Sequence, residues 1–144
     1  MENQNYSNHT RMHPLYHYVL SVLILALLVI SIVYATGSLM EGVNLLPAIF
    51  MVLAAVCLIL FYILVRIYPL KAQDRAIRAE ENLRHFALTG KLLNPVLTTG
   101  QIVALRFASD EELPGLAQRA AENNLPPKKI KESIQNWKAD HYRI

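Results

Sequence analysis

Between Tyr18 and Val65 the chain has one charged side chain, Glu41, in 48 residues, whereas residues 66–144 carry 13 basic and 9 acidic ones. A stretch so poor in charge does not make a soluble surface, and it divides into two apolar runs. The first, Tyr18–Thr36, is 19 residues long, and as a helix it reaches about 28 Å, close to the hydrocarbon thickness of a bilayer. The second, Leu45–Val65, is 21 residues long and reaches about 31 Å. A helix satisfies its backbone groups internally, as lipid requires. The linker Gly37–Asn44 (GSLMEGVN) is short and holds two glycines, so the runs are expected to return as an antiparallel hairpin.

Orientation follows Lys and Arg rather than net charge. The hairpin linker has neither, the amino-terminal flank has Arg11, and the second run is followed by Arg66, Lys71, Arg75 and Arg78. Both termini are therefore expected in the cytoplasm. Tyr16, Tyr18, Tyr34, Tyr62 and Tyr68 stand where interfacial aromatic residues anchor a span. The rival reading is a signal peptide cleaved near Ala35 and Gly37. The first run exceeds the usual apolar segment of such peptides, and its flank has a single Arg. The spans hold no Asp, Glu, Lys, Arg or His, which argues against a self-contained pump or transporter. No GxxxG occurs, so the hairpin is expected to pack on itself. One cysteine, Cys57, excludes an internal disulfide framework and any multi-Cys metal site.

Beyond the second run the pattern turns helical. Ala72, Ala76, Ala79, Leu83, Phe86 and Ala87 form a stripe at three- and four-residue spacing, with Arg and Glu on the other faces and Gly90 as the stop. The second span is expected to continue, straight or kinked at Pro69, into this helix. Thr98 with Gln101, and Ser109 with Glu112, read as capping boxes. The second opens Asp110–Glu122, whose Leu113, Leu116, Ala117, Ala120 and Ala121 make one apolar face. Asn123-Asn124 end it, and Pro126-Pro127 start a last helix, Lys128–Ala139, with Ile130, Ile134, Trp137 and His141 on one side. Helices this short are unstable singly, so their apolar stripes, that of Ala72–Ala87 included, are expected to pack together.

Several constellations point toward chemistry without completing it. His9, His13 and His17 recur every four residues, and Glu81 and His85 stand four apart, the spacing of helical zinc ligands. Pro14 interrupts that register, so polar juxtamembrane residues are the plainer reading. The mixed segment Asp74, Arg75, Arg78, Glu80, Glu81, Arg84 reads as a solvated helix face or as a docking surface. Lys128, Lys129, Lys131, Lys138 and Arg143 make the last helix basic. The +4 of residues 66–144 is small for a nucleic-acid binder, and Trp137 falls on the apolar stripe, so nucleic acid is not an expected partner. The chain has no P-loop, GxGxxG, G-x-S-x-G or H-E-x-x-H, and no spacing selects a carboxylate pair. An enzyme is not expected, nor is any cofactor.

The chain resembles a family of uncharacterised bacterial membrane proteins grouped as a domain of unknown function. The resemblance is carried by Asn8-His9-Thr10-Arg11, by Lys71–Phe86 (KAQDRAIRAEENLRHF), by Leu88-Thr89-Gly90, by Ala104–Glu111 (ALRFASDE), and by Ile130-Lys131, Trp137 and Asp140. It spans nearly the whole chain and implies a two-span protein of the bacterial cytoplasmic membrane. It implies no activity, cofactor or catalytic residue.

The expected fold class is all-α: an amino-terminal cytoplasmic segment (1–17), a transmembrane helical hairpin (18–65), and a small cytosolic four-helix domain (66–144). The expected function is a membrane-anchored binding or adaptor module. Its candidate surface comprises Arg75, Arg78, Glu81, Arg84, His85, Lys128, Lys131 and Lys138. Its expected partners are the lipid bilayer and a membrane or cytosolic protein, with a homo-oligomer a further candidate. The alternatives are a metal- or lipid-responsive membrane regulator using the amino-terminal histidines, and an oligomeric channel or transporter component.

Overall fold

The computed structural model describes residues 4–8 and 12–140. They are helical throughout, apart from turns and one isolated antiparallel bridge between Ala108 and Trp137. A π-helical turn, Leu15–Leu20, leads into α1 (Ser21–Glu41). There follow α2 (Leu46–Thr89), α3 (Thr99–Leu105), α4 (Leu113–Glu122) and α5 (Pro127–Glu132). Two compact units result, one of Met12–Tyr68 and one of Met1–Arg11 with Pro69–Ile144. Helix α2 runs unbroken through Pro69, as the sequence leads one to expect.

The first unit contains two helices long and apolar enough to cross a membrane. Their large side chains mostly point outward, Phe50 being 72% exposed. Small ones are turned inward instead: Ser31, Ser38, Ala48 and Ala55 are buried. The linker is shorter than the glycines predict. Gly37 lies within α1, which ends only at Gly42, a residue at φ +66°. There Val43 N–H returns to the Ser38 carbonyl at 3.2 Å, closing the helix as a left-handed glycine does. Asn44 then accepts from Leu46 N–H at 3.0 Å and starts α2. At the other end of this unit Tyr16 stacks on Tyr62 with ring centres 4.5 Å apart. The Tyr16 hydroxyl donates to the Tyr62 carbonyl at 2.6 Å, and the hydroxyls of Ser21 and Tyr62 lie 2.7 Å apart.

In the second unit the core is built from α3, α4 and α5. Ile102, Leu105, Phe107, Leu113, Leu116, Ala120 and Ile130 are buried, with Leu93 and Leu97 from the preceding loop and Trp137 packed at the edge. The capping box at α3 forms as its spacing predicts. Thr98 Oγ1 accepts from Gln101 N–H, and Gln101 Oε1 accepts from Thr98 N–H at 2.8 Å. The buried Gln101 amide also donates to the Leu125 carbonyl at 2.9 Å, tying α3 to the end of α4.

Three expectations need correction. At α4 only half a capping box forms: Ser109 Oγ accepts from Glu112 N–H at 3.4 Å, and the helix starts at Leu113 rather than Asp110. The Glu112 carboxylate instead accepts from the N–H groups of Gln135 and Asn136, at 3.2 and 3.1 Å. Those bonds hold residues 133–140 out of a helix, so α5 stops at Glu132 rather than Ala139. The Ser133 hydroxyl donates back to the Lys129 carbonyl, an alternative to continued helix. Ser109 N–H and Lys138 N–H then bond to the Asn136 and Phe107 carbonyls across the Ala108–Trp137 bridge.

The third correction concerns the apolar stripe of α2, which does not pack into this core. Ala72, Ala76, Ala79, Leu83, Phe86 and Ala87 are all exposed, and the helix buries Ile77 and Glu81 instead. The reason is polar: a guanidinium on the other face meets acceptors that no alkyl group satisfies.

Candidate functional site

Arg84 is that guanidinium. Its Nη1 donates to Glu81 Oε2 at 3.0 Å, its Nη2 to the Ala108 carbonyl at 2.7 Å, and its Nε to Asp110 Oδ1 at 2.6 Å. The planar fork lets one side chain serve a buried carboxylate, a backbone carbonyl and an exposed carboxylate together. Asp110 is in consequence held below the usual carboxylate range, first by the hydrogen bond from Arg84 and then by its charge. Beside it, Asn82 Oδ1 accepts from Leu93 N–H at 3.2 Å. One turn on, His85 Nδ1 lies 2.7 Å from the Lys91 carbonyl and 3.2 Å from Thr89 Oγ1. These contacts clamp the loop after Gly90 back onto α2. His85 also lines a shallow groove of about 580 Å³ shared with Thr89, Asn94, Pro114 and Gln118.

The residues singled out from the sequence thus separate into two sets. Glu81, Arg84 and His85 are engaged within the unit. Arg75 and Arg78 are exposed on α2 and form no ion pair among the described residues, and the same holds for Glu80. On α5, Lys128 and Lys129 approach Glu132 at 3.9 and 3.4 Å, while Lys131 Nζ stands 5.8 Å from the Phe107 ring centre. Lys138 is exposed, with its N–H in the bridge. Of the histidine series, His9 lies outside the described residues. His17 Nδ1 is 3.1 Å from both the N and the O of His13. No group of three metal-ligating side chains assembles among the described residues.

What sequence reading missed is the outward face of α2. Leu83 is 69% and Phe86 51% exposed, and Leu92 and Val96 in the following loop are exposed as well. The stripe itself was legible; its direction was not. Arg75 and Glu80, without an ion pair among the described residues, border the stripe. A helix that presents large apolar side chains beside exposed charges can dock another protein surface, because burial of such groups drives association and the charges select the register.

No curated protein and no solved structure gives a significant match to the chain. The match that is found is to a family model covering residues 1–144, and on it the chain belongs to the family of unknown function DUF6526.

Proposed function

We propose that the protein is a membrane-anchored binding module. On this reading α1 and the first part of α2 form a two-span hairpin in a bacterial cytoplasmic membrane. Both termini lie in the cytoplasm, and residues 69–140 hold out the exposed face of α2 to a protein partner. The observation that carries it is Leu83 and Phe86, exposed on a helix whose polar face is the one engaged by its own domain.

Other features agree with the placement. The turn after Gly42 lacks Lys and Arg, while Arg66, Lys71, Arg75 and Arg78 follow the second apolar run, as the positive-inside rule requires. Asp140 N–H donates to Gln4 Oε1 at 2.8 Å, a contact that supports a common side of the bilayer for the segment before α1 and the end of the helical domain.

A photoreactive phenylalanine analogue in place of Phe86, in the full chain in its own membrane, tests the reading. An adduct to a polypeptide is expected there, and none from the same probe at Glu122, exposed at the end of α4. Labelling of lipid alone, or equal labelling from both positions, overturns it.

A further inference from the structure

We infer that the partner of this face is a second copy of the chain, packed in parallel along Ala72–Phe86 as a short coiled-coil seam. The inference rests on the membrane-anchored reading above and names the occupant of the same face.

Three observations carry it. Ala72, Ala76, Ala79, Leu83 and Phe86 are spaced 4, 3, 4 and 3 residues apart, the alternation of d and a positions in a heptad repeat. The side chains that hold the bonds to Ala108 and Asp110 lie away from that seam, while Asn82, which accepts from Leu93 N–H, stands at a g position on its border. In the same register Ile77 and Arg84 are b positions and Glu81 is f, so the buried residues and the bonds to Ala108 and Asp110, in the connection between α3 and α4, lie on the side of the helix opposite the seam. The third observation is charge. Arg75 falls at g and Glu80 at the following e, five residues on, and both are exposed without an ion pair among the described residues. In a parallel pair a g residue faces the partner's next e residue, so each Arg75 meets the other copy's Glu80, twice over. An antiparallel pair sets g against g and e against e, which forfeits both matches. The face is therefore self-complementary in one orientation.

The membrane enforces that orientation. Two copies inserted with the same topology send α2 out of the bilayer in the same direction. The seam covers only about two heptads, shorter than a free-standing coiled coil needs. Tethering by the hairpin raises the local concentration of one copy at another, which lets a short seam close. Alanine at three of the five positions admits close approach of the two backbones, while Leu83 and Phe86 supply most of the apolar surface.

The test uses the full chain in its native membrane with Cys57, the one cysteine, changed to Ser. Single cysteines are placed by Ala76→Cys and Ala79→Cys on the seam and by Arg78→Cys off it, and a mild oxidant is added. Dimer at twice 16.3 kDa is expected from the two seam positions at several-fold higher yield than from Arg78→Cys. In the Ala79→Cys chain, Arg75→Glu alone and Glu80→Arg alone should each lower the yield several-fold. The two together should restore it, since the pair is then merely exchanged. Equal yields on and off the seam, no dimer at either seam position, or no restoration by the double exchange overturns the inference. If the Phe86 probe then labels a different polypeptide, the second copy is refuted while the binding reading stands. If it labels no polypeptide, both fall.

Discussion

Arg84 serves three acceptors from one side chain, and its partners differ in how much water they keep. Glu81 is 7% exposed, whereas the Asp110 side chain is 59% exposed. Removing the guanidinium leaves the Glu81 carboxylate buried without its cation and the Ala108 carbonyl without a donor. Loss of one partner of a buried pair costs several kcal/mol, and the exposed third arm adds little. Arg84→Ala is therefore expected to destabilise the helical domain by about 2–3 kcal/mol. Arg75→Ala, on the outward face, should change monomer stability by less than about 0.5 kcal/mol. Thermal unfolding of the full chain in detergent, followed by Trp137 emission, separates the two. Trp137 is the only tryptophan, and its ring centre lies 5.1 Å from that of Phe107, next to the carbonyl Arg84 holds. Equal effects from both variants sink the assignment of Arg84 as the clamp.

The same cluster has a pH signature. Arg84 holds the Asp110 carboxyl below its ordinary value of 3.8. A depressed folded value means that the contribution is fully present above the ordinary value and is lost as pH falls through the lower folded one. The stability difference between wild type and Asp110→Asn is thus expected to be constant from neutral pH down to about pH 4 and to shrink below it. Denaturant titrations at pH 7 and pH 3 read this difference; a gap that stays unchanged at pH 3 counts against the ion pair.

At the scale of elements, the ends of helices separate what local chemistry dictates from what neighbours impose. Gly90 sits at φ +72° with open space where a Cβ would stand. Gly90→Ala therefore meets no clash and suffers only the left-handed backbone penalty, about 1–2 kcal/mol. Gly115, inside α4, also has open space, and its φ is not in the left-handed range. There Ala is expected to stabilise the helix by roughly 0.5–1 kcal/mol. Opposite signs in the two melting shifts check both. The cap at Thr98 was legible because both halves lie three residues apart in one chain segment. The cap at Ser109 was not, because Glu112 is drawn to N–H groups more than twenty residues away. That capture also decides where α5 ends, although Ile130 and Ile134 are buried as their spacing implies.

For the molecule as a whole, the bond from Asp140 to Gln4 and the unbroken α2 give a topology that can be checked. If the proposed orientation holds, a cysteine replacing Asn5 and one replacing Lys138 should react with an impermeant maleimide only in inside-out vesicles, in a Cys57→Ser chain. One replacing Val43, at the hairpin turn, should react only in right-side-out vesicles. Reaction of the Asn5 and Lys138 positions on opposite sides refutes a two-span hairpin.

What the sequence determined by itself is what depends on local pattern. The two long apolar helices follow from the absence of charge between Tyr18 and Val65. The continuation of the second past Pro69 follows from the stripe at three- and four-residue spacing that resumes at Ala72, and the stops at Gly90 and Asn123-Asn124 from their turn chemistry. Only the tertiary structure decided which face of α2 turns inward. Periodicity identifies an apolar stripe, but it says nothing of what the opposite face meets. The acceptors for Arg84 come from Ala108 and Asp110, about 25 residues along the chain. Apolar burial is non-directional and tolerates exposure of Leu83 and Phe86, whereas a partly buried guanidinium and a buried carboxylate require particular partners at particular places. The polar face therefore sets how α2 docks, and the apolar stripe is left facing outward.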